Sequence, residues 1–156
     1  HMAWFARHGL HTTGIDRSAQ ALADAGRFGQ VILADLEAPH GPLLEQDLPH
    51  PFDVIVVSNY LSRPLFAWIV QNLAPGGLLL YETFAQGNER FGRPARPDFL
   101  LQPGELLQRC QGLQILAYEH GLLNHPARCM QRIAAVAPMG LATSKDCALF
   151  EPHWLE

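Results

Sequence analysis

Hydrophobic positions along the chain fall into short runs separated by polar punctuation, and the clearest block is residues 52–84, FDVIVVSNYLSRPLFAWIVQNLAPGGLLLYETF. Residues 54–57 are a continuous apolar, β-branched run, the pattern of a parallel strand covered on both faces. Pro64 stands where the first turn of a helix would begin, and its missing N–H is harmless there. Leu65, Phe66, Ile69, Val70 and Leu73 then recur at helical spacing and predict one apolar helix face. Pro75-Gly76-Gly77 stops that helix, and residues 78–81 start a second strand. Strand, helix and strand with short connections predict a right-handed crossover. Ligands of open α/β sheets sit beyond the carboxyl ends of the strands, which singles out Asn59, Tyr60, Glu82 and Thr83.

The same reading extends in both directions. Residues 4–8 read as the tail of a helix stopped by Gly9. Residues 10–15 form a weak strand ending at Asp16, and Ser18 caps a helix over 19–25. Gly26 and Gly29 bracket a turn, and residues 31–33 form a short strand followed by Asp35. Residues 39–51 are rich in Pro and Gly and predict a loop. A polar loop covers 85–97, and a helix covers 103–110. Residues 113–118 and 128–136 read as an antiparallel pair with a long connection through 121–126. Residues 139–156 form a tail without a clear pattern. The order predicts an α/β fold with a mostly parallel sheet in a single domain over 3–138. His1-Met2 reads as a cloning remnant.

Composition narrows the function. The 156 residues suffice for one domain with a real core, and 48% are hydrophobic. A formal charge of −4 gives no electrostatic footprint for nucleic acid or an anionic membrane. No run is long enough to span a bilayer. Cys110, Cys129 and Cys147 are odd in number and far apart, which predicts reduced thiols in a cytoplasmic protein. The eight histidines, including His8, His11, His120 and His125, form no metal-ligand pattern. No nucleophile elbow, P-loop or Cys-x-x-Cys is present. Asp16 is the best single site candidate, because an acid at a strand end can accept two hydrogen bonds from a ribose diol. The alternative is a helix-capping aspartate.

Phe52-Asp53-Val54 together with Leu73-Ala74-Pro75-Gly76-Gly77, in this order and spacing, resembles the fourth and fifth strands of class I S-adenosylmethionine (SAM) dependent methyltransferases. The resemblance covers roughly residues 4–136. It implies a Rossmann-like three-layer sandwich, a mostly parallel sheet ending in an antiparallel strand pair, SAM as cofactor and a small-molecule substrate as methyl acceptor. Gly14-Ile15-Asp16 would supply the ribose-binding acid, with Arg17 flanking the cofactor. Asp35 would meet the adenine amino group, and the Leu36 N–H a ring nitrogen; a solvated turn aspartate is the alternative. Asn59 and Tyr60 would line the methionine part. Residues 87–94, GNERFGRP, resemble the loop over the pocket in a bacterial subgroup related to tellurite-resistance methyltransferases, which makes Glu82, Asn88, Glu89 and Arg90 the substrate-side candidates. An ion-paired surface loop is the alternative there.

One part of the family pattern is missing from this sequence: the first strand and the glycine-rich loop after it. In the family that strand lies at the sheet centre. Without it, the second and fourth strands would close up, the tail from Met139 would fill the gap, or a second copy would contribute a strand in a homodimer. Weak or no SAM binding is expected of this chain, because only glycines let the backbone approach the cofactor closely. Methyl transfer is an in-line displacement that needs proximity and orientation more than an acid–base pair, and no catalytic residue is assigned. A non-catalytic interaction or oligomerisation module of the same fold is the alternative. A nicotinamide-dependent oxidoreductase is disfavoured by the Pro-Gly-Gly turn and the antiparallel end pair.

Overall fold

The computed structural model of the protein describes residues 1–37, 48 and 51–139. The expected tail beyond Met139 and most of the 39–51 loop lie outside the described residues. The elements run α1 (Met2–Arg7), β1 (Thr13–Asp16), α2 (Ala19–Ala25), β2 (Gln30–Leu33), β3 (Phe52–Ser58), α3 (Leu65–Gln71), β4 (Leu73–Phe84), α4 (Glu105–Arg109), β5 (Gln114–Asn124) and β6 (Ala127–Val136). Pro64 stands just before the helical residues of α3, where it removes a hydrogen-bond donor that would have no helical partner.

The Pro-Gly-Gly segment is a bulge at the start of β4 rather than a separate turn. Phe52 pairs with Leu73, and the ladder then jumps to Val54 with Leu78. Gly76 takes a φ of +75°, and a β-carbon on Gly77 would lie 2.8 Å from the carbonyl oxygens of both Ala74 and Phe52. Two glycines therefore satisfy two different constraints, one conformational and one steric. The antiparallel pair is also tighter than expected. β5 continues to Asn124 and β6 resumes at Ala127, so His125-Pro126 alone makes the connection and residues 121–124 of the expected long loop through 121–126 are strand instead.

The strands form two sheets, β1-β2 and β3-β4-β6-β5. β1 and β2 are parallel, β3 and β4 are parallel, and β6 runs antiparallel to both β4 and β5. β1 and β3 share no ladder, so the expectation that these two strands close up is not met. Each instead keeps one edge unpaired among the described residues. β3 carries Val54, Ile55, Val56 and Val57, a composition suited to a sheet interior.

The core lies on one face of the four-stranded sheet. Leu79, Tyr81 and Thr83 of β4 and Gln131, Ile133 and Ala135 of β6 are buried there with Phe66 and Ile69 of α3 and Leu106 of α4. Each large apolar side chain buried this way contributes ~1.5–3 kcal/mol. Tyr81 stacks on Phe66 with ring centroids 4.6 Å apart, and its hydroxyl donates to the Tyr60 carbonyl at 2.9 Å. Gln131 is fully buried with its amide engaged: Oε1 accepts from the Leu106 N–H and Tyr118 hydroxyl, and Nε2 donates to the Gln102 carbonyl. The alternate positions, including Leu80 and Ala134, face Trp4 and Phe5 of α1 across a second cavity of about 500 Å³. The result is the expected layering of helix, sheet and helix. No described helix is long and apolar enough to cross a membrane.

Candidate functional site

A cleft of about 660 Å³ opens between β1 and β3 and continues past the carboxyl ends of the strands. Its size is that of a small-molecule site. Asp16, Arg17, Asp35, Leu36, Asn59 and Tyr60, drawn from the ends of three strands, all line it.

Asp16 and Asp35 are built alike. Asp16 Oδ1 accepts the Ser18 N–H at 2.7 Å, and Asp35 Oδ1 accepts the Glu37 N–H at 2.9 Å. Each acid thereby fixes the turn that ends its strand. The Oδ2 of each makes no hydrogen bond among the described residues. Helix α2 is capped by Ser18, whose hydroxyl accepts the Ala21 N–H at 3.2 Å, so the cap belongs to Ser18 and not to Asp16. The Ala34 N–H donates to the Asp16 carbonyl at 3.1 Å, which ties the two strand ends side by side.

Asn59 ends β3 in the left-handed region at φ +53°, a conformation that asparagine tolerates better than most residues. Its N–H donates to the Glu82 carbonyl at 2.9 Å. Tyr60 follows, with its hydroxyl oxygen buried and without a hydrogen-bond partner among the described residues. Burial pushes the Tyr60 pKa up, and the nearby Glu37 and Asp35 carboxylates add to that while Arg17 opposes it. Asp16, Asp35 and Glu37 outweigh Arg17, so this end of the cleft is acidic.

None of the four substrate-side candidates lines the cleft. Glu82 points to the opposite face of the sheet from Tyr81 and Thr83. Its Oε1 accepts the Ser58 hydroxyl at 2.9 Å, and its Oε2 lies 3.1 Å from Arg132 Nε, an ion pair not aligned for a hydrogen bond. Arg132 also reaches Glu119 at 3.4 Å. Period-two alternation puts Glu82 on the face opposite Thr83, which reaches the cleft; Phe84 reaches it too, as the last residue of β4. Asn88 is buried with both amide ends engaged, Nδ2 to the Pro94 carbonyl at 3.0 Å and Oδ1 from the Cys129 N–H at 3.2 Å. Glu89 accepts the Gly87 N–H at 2.8 Å, and Arg90 donates to the Gly87 carbonyl at 3.2 Å and lies over Phe91. These three side chains hold the loop together from within.

Leu61, Trp68 and Phe99, which the sequence did not single out, also line the cleft, and of the 87–94 loop expected over the pocket Pro94 lines it. Trp68 and Leu61 carried no signal beyond helix and loop patterning. Pro94 and Phe99 lie in a loop whose path is set by tertiary bonds. Among the described residues no glycine lines the cleft, and no group of His, Cys, Asp and Glu suited to a metal ion occurs.

No family model matches the chain, and no curated protein matches it. Solved structures do. TehB from Haemophilus influenzae superposes with a TM-score of 0.66 at 15% identity, over 86% of this chain and 52% of that one. A SAM-dependent methyltransferase from Methanosarcina mazei superposes at 0.61 and 14% identity, over 87% and 86%. The cyclase SpnF superposes at 0.59 and 16% identity, over 88% and 70%. The chain spans about half the length of the TehB chain. Its fold is the Rossmann-like fold of the SAM-dependent methyltransferases.

Proposed function

We propose that the chain is a SAM-dependent methyltransferase acting on a small-molecule acceptor. The observation that carries the reading is the convergence of Asp16, Asp35, Leu36, Asn59 and Tyr60 from three strand ends on one cleft. The donor set fits the cofactor. Asp16 and Asp35 each keep one oxygen to accept hydrogen bonds from a ribose diol and an adenine amino group, and the acidic balance suits a sulfonium cation. Bound there, SAM would supply the transferable methyl group on its sulfonium sulfur. The residues of this chain bind and orient: Asp16 holds the ribose with Arg17 alongside, Asp35 and Leu36 hold the adenine, and Asn59 and Tyr60 line the remainder. Orientation is the protein's main contribution to such a displacement.

Affinity for the cofactor is expected to be weak, because among the described residues no glycine lines the cleft and the edges of β1 and β3 beside it are unpaired. Calorimetric titration with S-adenosylhomocysteine, on this chain and on Asp16→Ala, tests the reading. Binding that is lost in the variant supports it. Micromolar affinity would refute the weakness, and absence of binding to both proteins would refute cofactor use by this chain.

The unpaired edges favour a second reading, a non-catalytic module of the same fold that associates through them. SpnF, a cyclase, has this fold too, so fold alone does not fix methyl transfer. A homodimer in sedimentation analysis, with no S-adenosylhomocysteine binding, would favour that reading.

A further inference from the structure

One side chain holds the loop that follows β4. Arg63 lies between Leu61 and Leu65, both of which line the cleft. Its Nε and Nη2 donate to the two carboxylate oxygens of Glu105 at 2.8 and 2.9 Å. Nη1 donates to the Asp98 carbonyl at 2.8 Å, and Nη2 also donates to the Leu100 carbonyl at 3.0 Å. Those two carbonyls flank Phe99. A guanidinium is a rigid planar fork, so bonds to the carbonyls on both sides of one residue fix that residue's backbone. Phe99, Pro94 and Phe84 line the cleft at its β4 end. The acids belong to the β1–β2 end, as does Arg17, the cation among the lining residues. The Phe84–Pro94–Phe99 end thus presents aromatic and apolar surface: the Arg96 guanidinium lies 5.3 Å from the Phe99 ring centroid, but it is paired with Asp98 at 3.0 Å, and neither side chain is among the described residues that line the cleft.

We propose that this end is the acceptor pocket, that it takes a neutral aromatic or apolar small molecule, and that Arg63 is the positioning residue that sets its wall. The word acceptor rests on the methyltransferase reading; the pocket does not. An anionic ligand would lose its hydration there without gaining a free cation, since Arg96 is already paired with Asp98, whereas a flat apolar ligand gains ring contacts with Phe99 and Phe84. Arg63 acts only through Phe99, because its donors are turned to Glu105 and to the loop carbonyls.

The test uses the full chain and the neutral fluorophore phenylnaphthylamine, with S-adenosylhomocysteine titrated in parallel. Phe99→Ala is expected to raise the fluorophore Kd about two- to tenfold, and Phe99→Leu less. Arg63→Met is expected to raise it similarly and to speed amide hydrogen exchange at residues 98–101, while β4 and β6 keep their protection. An unchanged fluorophore Kd in Phe99→Ala would overturn the pocket. Loss of protection throughout the sheet in Arg63→Met would overturn the positioning role. Tighter binding of the anionic anilinonaphthalene sulfonate than of the neutral probe would overturn the ligand class. Fluorophore binding with the expected variant effects, but no binding of S-adenosylhomocysteine to the wild-type chain, would sink the methyltransferase reading and leave the pocket standing.

Discussion

Glu105→Gln keeps the shape of a buried side chain and removes its charge. Burial alone would push this carboxyl up, but Arg63, the Gln102 N–H and Arg109 outweigh burial and bring its pKa down from 4.5 to about 2. Arg109 Nε donates to Glu105 Oε1 at 2.9 Å, and the Gln102 N–H donates to Oε2 at 2.9 Å. A depression of that size corresponds to ~3 kcal/mol of folding stability at neutral pH. Arg63 and Arg109 are 32% and 31% exposed, so solvent screens them and ~3 kcal/mol is the ceiling. The sign follows from the direction of the shift. The folded-state pKa is depressed, so the contribution is complete above 4.5 and is lost as pH falls toward about 2. Urea unfolding of both proteins at pH 7 and pH 3 measures it. The variant should be less stable by ~2–3 kcal/mol at pH 7, a midpoint shift of ~1–2 M, and by only ~1 kcal/mol at pH 3, where the wild-type carboxylate is itself becoming protonated in the unfolded chain. A gap below ~0.5 kcal/mol at pH 7, or an equal gap at both pH values, would refute the account of this cluster.

Three further outcomes are expected. Asn59→Ala places a residue with a β-carbon at φ +53° and should cost ~1 kcal/mol, while Asn59→Gly stays within ~0.5 kcal/mol; equal thermal midpoints for the two variants would show that backbone strain is not the reason for asparagine there. Asn88→Ala leaves the Cys129 N–H and the Pro94 carbonyl without their side-chain partner and should cost ~2–3 kcal/mol, lowering the thermal midpoint by ~5–10 °C; a drop under ~1 °C would mean that water takes over both bonds. Burial pushes the Cys110 thiol up to about 11, so at pH 8 it should react with Ellman's reagent ~100-fold more slowly than free cysteine until the protein unfolds; fast labelling of the native protein at Cys110 would contradict the packing of α4.

Much of the fold was legible because strands and helices advertise themselves by period. The apolar run of β3 and the helical spacing of Leu65, Phe66 and Ile69 each state a local preference that the packed structure keeps, whereas the helix ends at Gln71 and Pro75-Gly76-Gly77 lies within β4. The acids at the ends of β1 and β2, and the Asn59-Tyr60 pair after β3, could be placed near one another from strand order alone, because parallel strands bring their carboxyl ends to the same side. The chain's periodicity did not say how far β5 and β6 extend past Gly121, since two long antiparallel strands are stabilised mainly by each other.

The sequence by itself determined the α/β order, the crossover between β3 and β4, and the identity of the residues at the three strand ends. Only the tertiary structure decided what faces the cleft. Glu82 is one residue out of phase with Thr83, so the two acquire opposite faces of the sheet. Asn88, Glu89 and Arg90 look like free polar groups in the sequence, yet backbone groups distant along the chain and within the loop consume their hydrogen bonds. Phe99 reaches the cleft because Arg63 and Glu105, themselves 42 positions apart, fix the loop around it. The physical reason is the same in each case. Local preference and periodicity act over a few residues, whereas the side on which a side chain emerges and the partners it finds depend on contacts made across the whole chain.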